Sequence, residues 1–386
     1  MGSCDSTAVQ ESPVAYFRRQ VNNCFEYAGD GKAAGAKIVG IMCEYTPREI
    51  IMAAGGIPVC LCGGSREMIE PAETVLPANL CPLIKSTFGY SLLKKNPFLE
   101  MADLVVAETT CDGKKKMYEL LSRERPMYIL ELPQKSDDAD SFDRWVHELD
   151  KFRKELETRF KTDITSEKLK EAIRVMNRER KLKRELSALM KEDDPPLTGR
   201  DLLDMKSLIS GMPEDMVQYE KALVALKGRE PDATSGSRVR VLLTGVPLPH
   251  GAERVIDIIE NNGGLVVCQE NCTGLKPLLE DVENGSTDPI ISIAEKYYHL
   301  PCSVMMNNTR RIDHLKELAR EYRAECVIEL IWQDCITYDV ESGLVKKMAE
   351  EELDIPYLRI GTDYSPSDTG RIAVRVEALF ETVKGR

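Results

Sequence analysis

The sequence predicts an α/β protein of two parallel-sheet lobes joined by a helical connector. Short apolar runs alternate with helical segments, the order of parallel strands linked by crossovers. That order occurs twice, and in both copies a glycine pair and two cysteines fall at matching places, whereas Cys43 and Cys272 occupy different turns. Between the copies lies a charged stretch with apolar residues at helical spacing. Each lobe is therefore expected to be Rossmann-like, and at 386 residues the chain exceeds what one core usually organises. The lobes are expected over residues 1–140, with a leading helix, and 238–386, with the connector over 141–237 packed on both.

Ser12 to Tyr27 reads as the leading helix, followed by a Gly-rich loop and the strand Lys37 to Met42. Cys43 ends that strand, and Thr46, Pro47 and Glu49 read as helix cap, first helical residue and capping partner. The helix stops at Gly55-Gly56, before the strand Ile57 to Leu61 and a second pair, Gly63-Gly64. Cys81-Pro82 opens a helix. Leu104 to Ala107 is a buried strand left through Thr110-Cys111-Asp112-Gly113, and Met127 to Leu132 completes the first sheet.

The connector, about Ser141 to Arg229, spaces Leu149, Phe152, Leu156 and Phe160 on one helical face. A flexible break, Arg229 to Ser237, precedes the second copy. There Val239 to Thr244 leads into Pro247-Leu248-Pro249-His250-Gly251, and Gly263-Gly264 precedes the strand Leu265 to Gln269. Cys302 matches Cys81, and the strand Cys326 to Trp332 with Cys335 matches Leu104 to Ala107 with Cys111. Pro356 to Ile360 and a helix over Thr369 to Val383 close the lobe.

Lys+Arg of 52 against Asp+Glu of 64 leaves a net charge of −12, which argues against nucleic acid or an anionic membrane as partner. The uncharged run Ile50 to Ser65 is too short and too rich in Gly to span a bilayer. The start Met1-Gly2-Ser3-Cys4-Asp5-Ser6 fits the loose myristoylation pattern but reads as a frayed terminus. Twelve cysteines without a secretory signal point to a reducing cytoplasm, where thiols bind metal or fill cores.

Six of those cysteines, Cys43, Cys81, Cys111, Cys272, Cys302 and Cys335, stand at strand ends or helix starts, three in each copy. In an open α/β sheet the carboxyl ends of the strands form the functional edge, so thiols from both lobes are expected to face one cleft. Their wide separation excludes a zinc ribbon or an ordinary ferredoxin run. Helix N-termini beside Cys43, Cys81 and Cys111 favour thiolates and an anionic cluster. Together these features point to iron and sulfur. A four-iron cubane on three cysteines leaves one iron free, so six ligands accommodate two cubanes.

The other cysteines have simpler readings. Cys60, Cys268 and Cys326 lie in apolar strand runs and Cys62 adjoins one, so all four are expected to pack in the core. The single CxC, Cys60-Leu61-Cys62, is expected to send its thiols apart. Cys4 in the tail and Cys24 on the leading helix are not placed to join a common site.

The segment Glu44 to Gly55, the Cys81 helix start, and Thr110-Cys111-Asp112-Gly113 with Lys114 to Lys116 resemble the N-lobe signature of the 2-hydroxyacyl-CoA dehydratase and benzoyl-CoA reductase subunits. The resemblance extends over nearly the whole chain. For the dehydratases it implies one four-iron cluster on three cysteines, with one iron open to the thioester substrate. This chain departs from that pattern by offering six, and is more similar to the double-cubane cluster branch, in which two cubanes share a bridging sulfide. Carried over by position, Cys43, Cys81, Cys111, Cys272, Cys302 and Cys335 are the implied ligands. The resemblance also implies a homodimer and a separate ATP-hydrolysing iron–sulfur reductase as electron donor. No GxxxxGK[ST] loop occurs, and no nucleotide is expected on this chain.

The leading expectation is a reductase that acts on a small unsaturated molecule. Competing readings are a 2-hydroxyacyl-CoA dehydratase subunit with a single four-iron cluster, a noncatalytic electron carrier or cluster scaffold, and a metal-free binding protein. His250 and Glu44 are the candidates for proton delivery. Glu270, Gln333 and Lys114 are candidates for hydrogen-bonding cluster sulfurs or balancing their charge.

Overall fold

Two runs of strand-forming residues, alike in order, fold into two sheets alike in order. In the computed structural model, which describes residues 14–228 and 238–386, the first sheet comprises β1 (Lys37–Ile41), β2 (Gly56–Cys60), β3 (Leu104–Glu108) and β4 (Met127–Leu130). The second comprises β5 (Val239–Gly245), β6 (Gly264–Glu270), β7 (Cys326–Trp332) and β8 (Tyr357–Thr362). All neighbours are parallel, in the orders β2-β1-β3-β4 and β6-β5-β7-β8. The expected α/β class and repeated order are therefore observed. The N-terminal hexapeptide and the break before the second copy lie outside the described residues.

The winding order reverses between β1 and β3 in one sheet and between β5 and β7 in the other. Such switch points open a crevice at the carboxyl ends of the strands. β3 and β7 are buried along their whole length, as central parallel strands covered on both faces must be.

The connector covers one face. In helix Ala139–Phe160, Trp145, Leu149, Phe152 and Leu156 are fully buried against β1, β3 and helix Pro289–Tyr298 of the second half. Each such side chain contributes about 1.5–3 kcal/mol of burial. The Tyr45 hydroxyl donates to the Leu300 carbonyl at 2.9 Å, adding a direct tie between the lobes.

Two local expectations are corrected. The leading helix runs over Gln20–Ala33, after a 3-10 turn at Phe17–Arg19, and so extends past Tyr27. Thr46 does not cap the next helix, Arg48–Ala53, whose cap residue is Pro47. The Thr46 hydroxyl instead donates to Glu108, and Glu49 turns to Arg180. Buried partners across the sheet have displaced the local capping box.

Candidate metal centre

The carboxyl ends of both sheets enclose one chamber of about 410 Å³. Its wall contains all six expected cysteines, Cys43, Cys81, Cys111, Cys272, Cys302 and Cys335. Cys43 follows β1 and Cys272 follows β6, different turns of their lobes, while Cys81 and Cys302 precede crossover helices or turns in corresponding places.

Three thiols sit where a helix begins. Cys81, Cys111 and Cys335 are the cap residues of helices Pro82–Leu92, Asp112–Leu121 and Ile336–Lys347. Backbone N–H groups of Leu83 and Ile84 face Cys81, that of Lys114 faces Cys111, and that of Tyr338 faces Cys335. First-turn N–H groups favour a thiolate, and Cys81, aided most by Cys335, does lie below its ordinary value. Burial at Cys111, and the Cys81 thiol together with burial at Cys335, outweigh them and hold those two thiols above it. Cys43 is not so placed, because its helix starts only at Arg48.

The thiols couple across the two lobes, and Cys111, which feels Cys302 as well as Cys335, links the couplings into one continuous set. Cys81 interacts directly with Cys335, and Cys111 feels the charge of Cys335. Cys43 feels Cys272 and Cys302. Burial raises the Cys43 thiol well above its ordinary value, against the opposing charge of Lys114, and pushes Cys272 up to about 12. Binding a metal must therefore displace protons from these sulfurs.

Two further cysteines line the same wall. Cys60 and Cys62 interact with each other, and the Cys62 thiol lies 3.4 Å from the Met42 carbonyl. The expectation that their thiols diverge is wrong, because residues two apart in an extended segment face one side. The i, i+2 spacing carried that signal. Cys62 stands two residues past β2, just as Cys272 stands two past β6. Cys268 and Cys326 are core residues as expected. Cys24 is fully buried beside Ser207, away from the chamber.

Among the described residues no three His, Cys, Asp or Glu side chains converge as a single metal ion would need. The sulfurs instead surround a space. Thiolates are soft donors suited to transition metals and iron–sulfur clusters, and their spread around the wall fits a polynuclear group better than one ion.

The polar candidates divide. His250 lines the chamber, and its buried Nε2 has no hydrogen-bond partner. Burial, helped by the Lys206 charge, pushes its pKa down and leaves the imidazole neutral at neutral pH. Glu44 also lines the chamber but is paired with Arg48 at 2.6 Å. Lys114 lines it and donates to the Met42 carbonyl at 3.2 Å. Glu270 is buried behind the wall beside Arg311 and Lys276, whereas Gln333 is exposed and lies outside the wall. The composition alone did not single out Tyr338 and Thr337, which line the chamber from the first turn after Cys335.

The family model described as 2-hydroxyglutaryl-CoA dehydratase, D-component, matches residues 43–383, a span that includes every chamber thiol. The chain belongs to that family. Within the family it is 39% identical to YjiM of Escherichia coli (strain K12), provisionally named a dehydratase subunit, over 91% of this chain and 93% of that one. It is 24% identical to the (R)-phenyllactyl-CoA dehydratase beta subunit of Clostridium sporogenes over 98% of both chains. It is 23% identical to a benzoyl-CoA reductase subunit of Thauera aromatica over 83% of this chain and 84% of that one. The family thus includes dehydratase and reductase subunits, as the sequence resemblance implied.

Proposed function

We propose that this chain is an iron–sulfur reductase that receives low-potential electrons from an ATP-hydrolysing iron–sulfur partner and reduces a small unsaturated molecule. The proposed centre is a double cubane held by Cys43, Cys81, Cys111, Cys272, Cys302 and Cys335. What carries the reading is one chamber lined by thiols from both lobes, electrostatically coupled to one another across it. When bound, such a centre supplies single electrons at a potential set by its ligands and their hydrogen bonds.

The chain's own residues prepare the space. Leu80, Leu83, Ile84, Val246 and Trp332 give the chamber an apolar wall that limits water. Lys114 places a positive charge beside Cys43, offsetting accumulated negative charge. His250, neutral and without a partner for Nε2, is the better placed of the two proton-delivery candidates. The Glu44 carboxylate is committed to Arg48.

The reading takes the enzyme to be a homodimer working in an anaerobic cytoplasm, where thiols stay reduced. Among the described residues every cysteine is a free thiol, in keeping with that setting, and no helix is long and apolar enough to cross a membrane. A dehydratase subunit is the second reading, favoured by the names of the Clostridium sporogenes and Acidaminococcus fermentans relatives, (R)-phenyllactyl-CoA and (R)-2-hydroxyglutaryl-CoA dehydratase beta subunits. The two separate in one anaerobic assay with the reducing partner, ATP, and either a small alkyne or a 2-hydroxyacyl-CoA. Alkyne reduction supports the proposal. Water elimination from the thioester alone supports the dehydratase, and electron transfer to another protein without turnover of either compound supports a carrier.

A further inference from the structure

Tyr338 sits in the first turn of helix Ile336–Lys347 with its hydroxyl 3.9 Å from the Cys302 sulfur and 2.8 Å from Lys276 Nζ. The lysine ammonium has donors only. Lys276 therefore donates to the tyrosine oxygen, which leaves the hydroxyl hydrogen for the sulfur. Lys276 is held from behind by Glu270 at 3.2 Å, and Glu270 lies 3.4 Å from Arg311. The Arg311 guanidinium stands 5.0 Å over the Tyr338 ring, and Lys276 Nζ 5.2 Å from its centre. Lys276, Glu270 and Arg311 expose at most 1% of their side chains. Burying such charges is costly, and a network of them linked by ion pairs holds one orientation.

We infer that Tyr338 is a positioning residue that donates a hydrogen bond to the Cys302 sulfur, with Lys276 fixing its direction, and so raises the reduction potential of the centre on the Cys302 side. The inference rests on Cys302 being a cluster ligand. A hydrogen bond to a ligand sulfur stabilises the more negative, reduced state, so its loss lowers the potential.

The test uses anaerobically purified holoprotein, with iron counted per chain and potentials measured by redox titration followed by electron paramagnetic resonance. Tyr338→Phe is expected to keep its iron and shift the midpoint potential downward. Tyr338→3-fluorotyrosine, which keeps the ring and makes the hydroxyl a stronger donor, is expected to shift it upward and serves if the phenylalanine variant fails to fold. Full iron with an unmoved potential in either variant overturns the inference. A Cys302→Ser protein that keeps all its iron overturns instead the assignment of Cys302 as a ligand.

Discussion

Arg180 of the connector and Glu49 of the first lobe form an ion pair with side-chain exposures of 3% and 0%. Tyr297 of the second half joins them, donating to Glu49 at 2.8 Å and accepting from Arg180 at 3.2 Å. One carboxylate thus binds all three parts of the chain. Removing one partner strands a buried charge, so Glu49→Gln or Arg180→Met is expected to cost about 3–5 kcal/mol in denaturant unfolding.

The same pair sets a pH dependence. Burial alone would raise the Glu49 carboxyl, but Arg180 outweighs it and holds the group below the ordinary carboxylate value. A depressed acid stabilises fully above its unfolded pKa, and the contribution is lost as pH falls through the folded one. The advantage of the wild type over Glu49→Gln is therefore expected to stay level from neutral pH to the ordinary carboxylate range and to shrink below it.

Glu108 behaves oppositely. Burial raises its carboxyl to about 8, against the pull of the Thr46 hydroxyl and Lys114, and its second oxygen has no partner. An acid with a raised folded pKa stabilises below its unfolded value and loses that contribution as pH rises through the folded value. Cluster-free wild-type protein is expected to lose stability as pH climbs toward about 8. Glu108→Gln is expected to flatten that slope and to remove a protonated-carboxyl infrared band at neutral pH.

Gly245 ends β5, where the loop to His250 begins, at a φ of +111°. A Cβ there would meet the Leu330 carbonyl oxygen at 2.1 Å, and backbone cannot swing away. Gly245→Ala is expected to abolish soluble folded protein. Gly343→Ala, in the helix that follows Cys335 with open space around the site, is expected to be stabilising by up to about 1 kcal/mol.

Much of this molecule was legible because its strands are short apolar runs punctuated by glycine pairs, and because Cys81, Cys111 and Cys335 sit beside helix starts. Cys60 and Cys62 were misread through strand parity, although the spacing itself held the answer. Thr46 and Glu49 were misread for a different reason. A capping box is local, whereas Glu108 and Arg180, which claim these side chains, lie 62 and 131 residues away. The Lys276–Tyr338–Cys302 contact is likewise invisible in sequence, since it joins residues 62 and 36 positions apart.

The ligand set is separable by substitution. Cys302→Ser and Cys272→Ser are each expected to lower the iron content. Cys268→Ser, inside β6 and 2% exposed, is expected to leave it unchanged. Cys62→Ser is expected to retain iron as well, and a loss there would add Cys62 to the ligands.

The most direct test of the central claim is the amount of iron and acid-labile sulfide per chain after strictly anaerobic purification. Two bridged cubanes on six thiols require about eight irons per chain. A count of about four irons, as one cubane on three cysteines would hold, or colourless protein without iron, contradicts it.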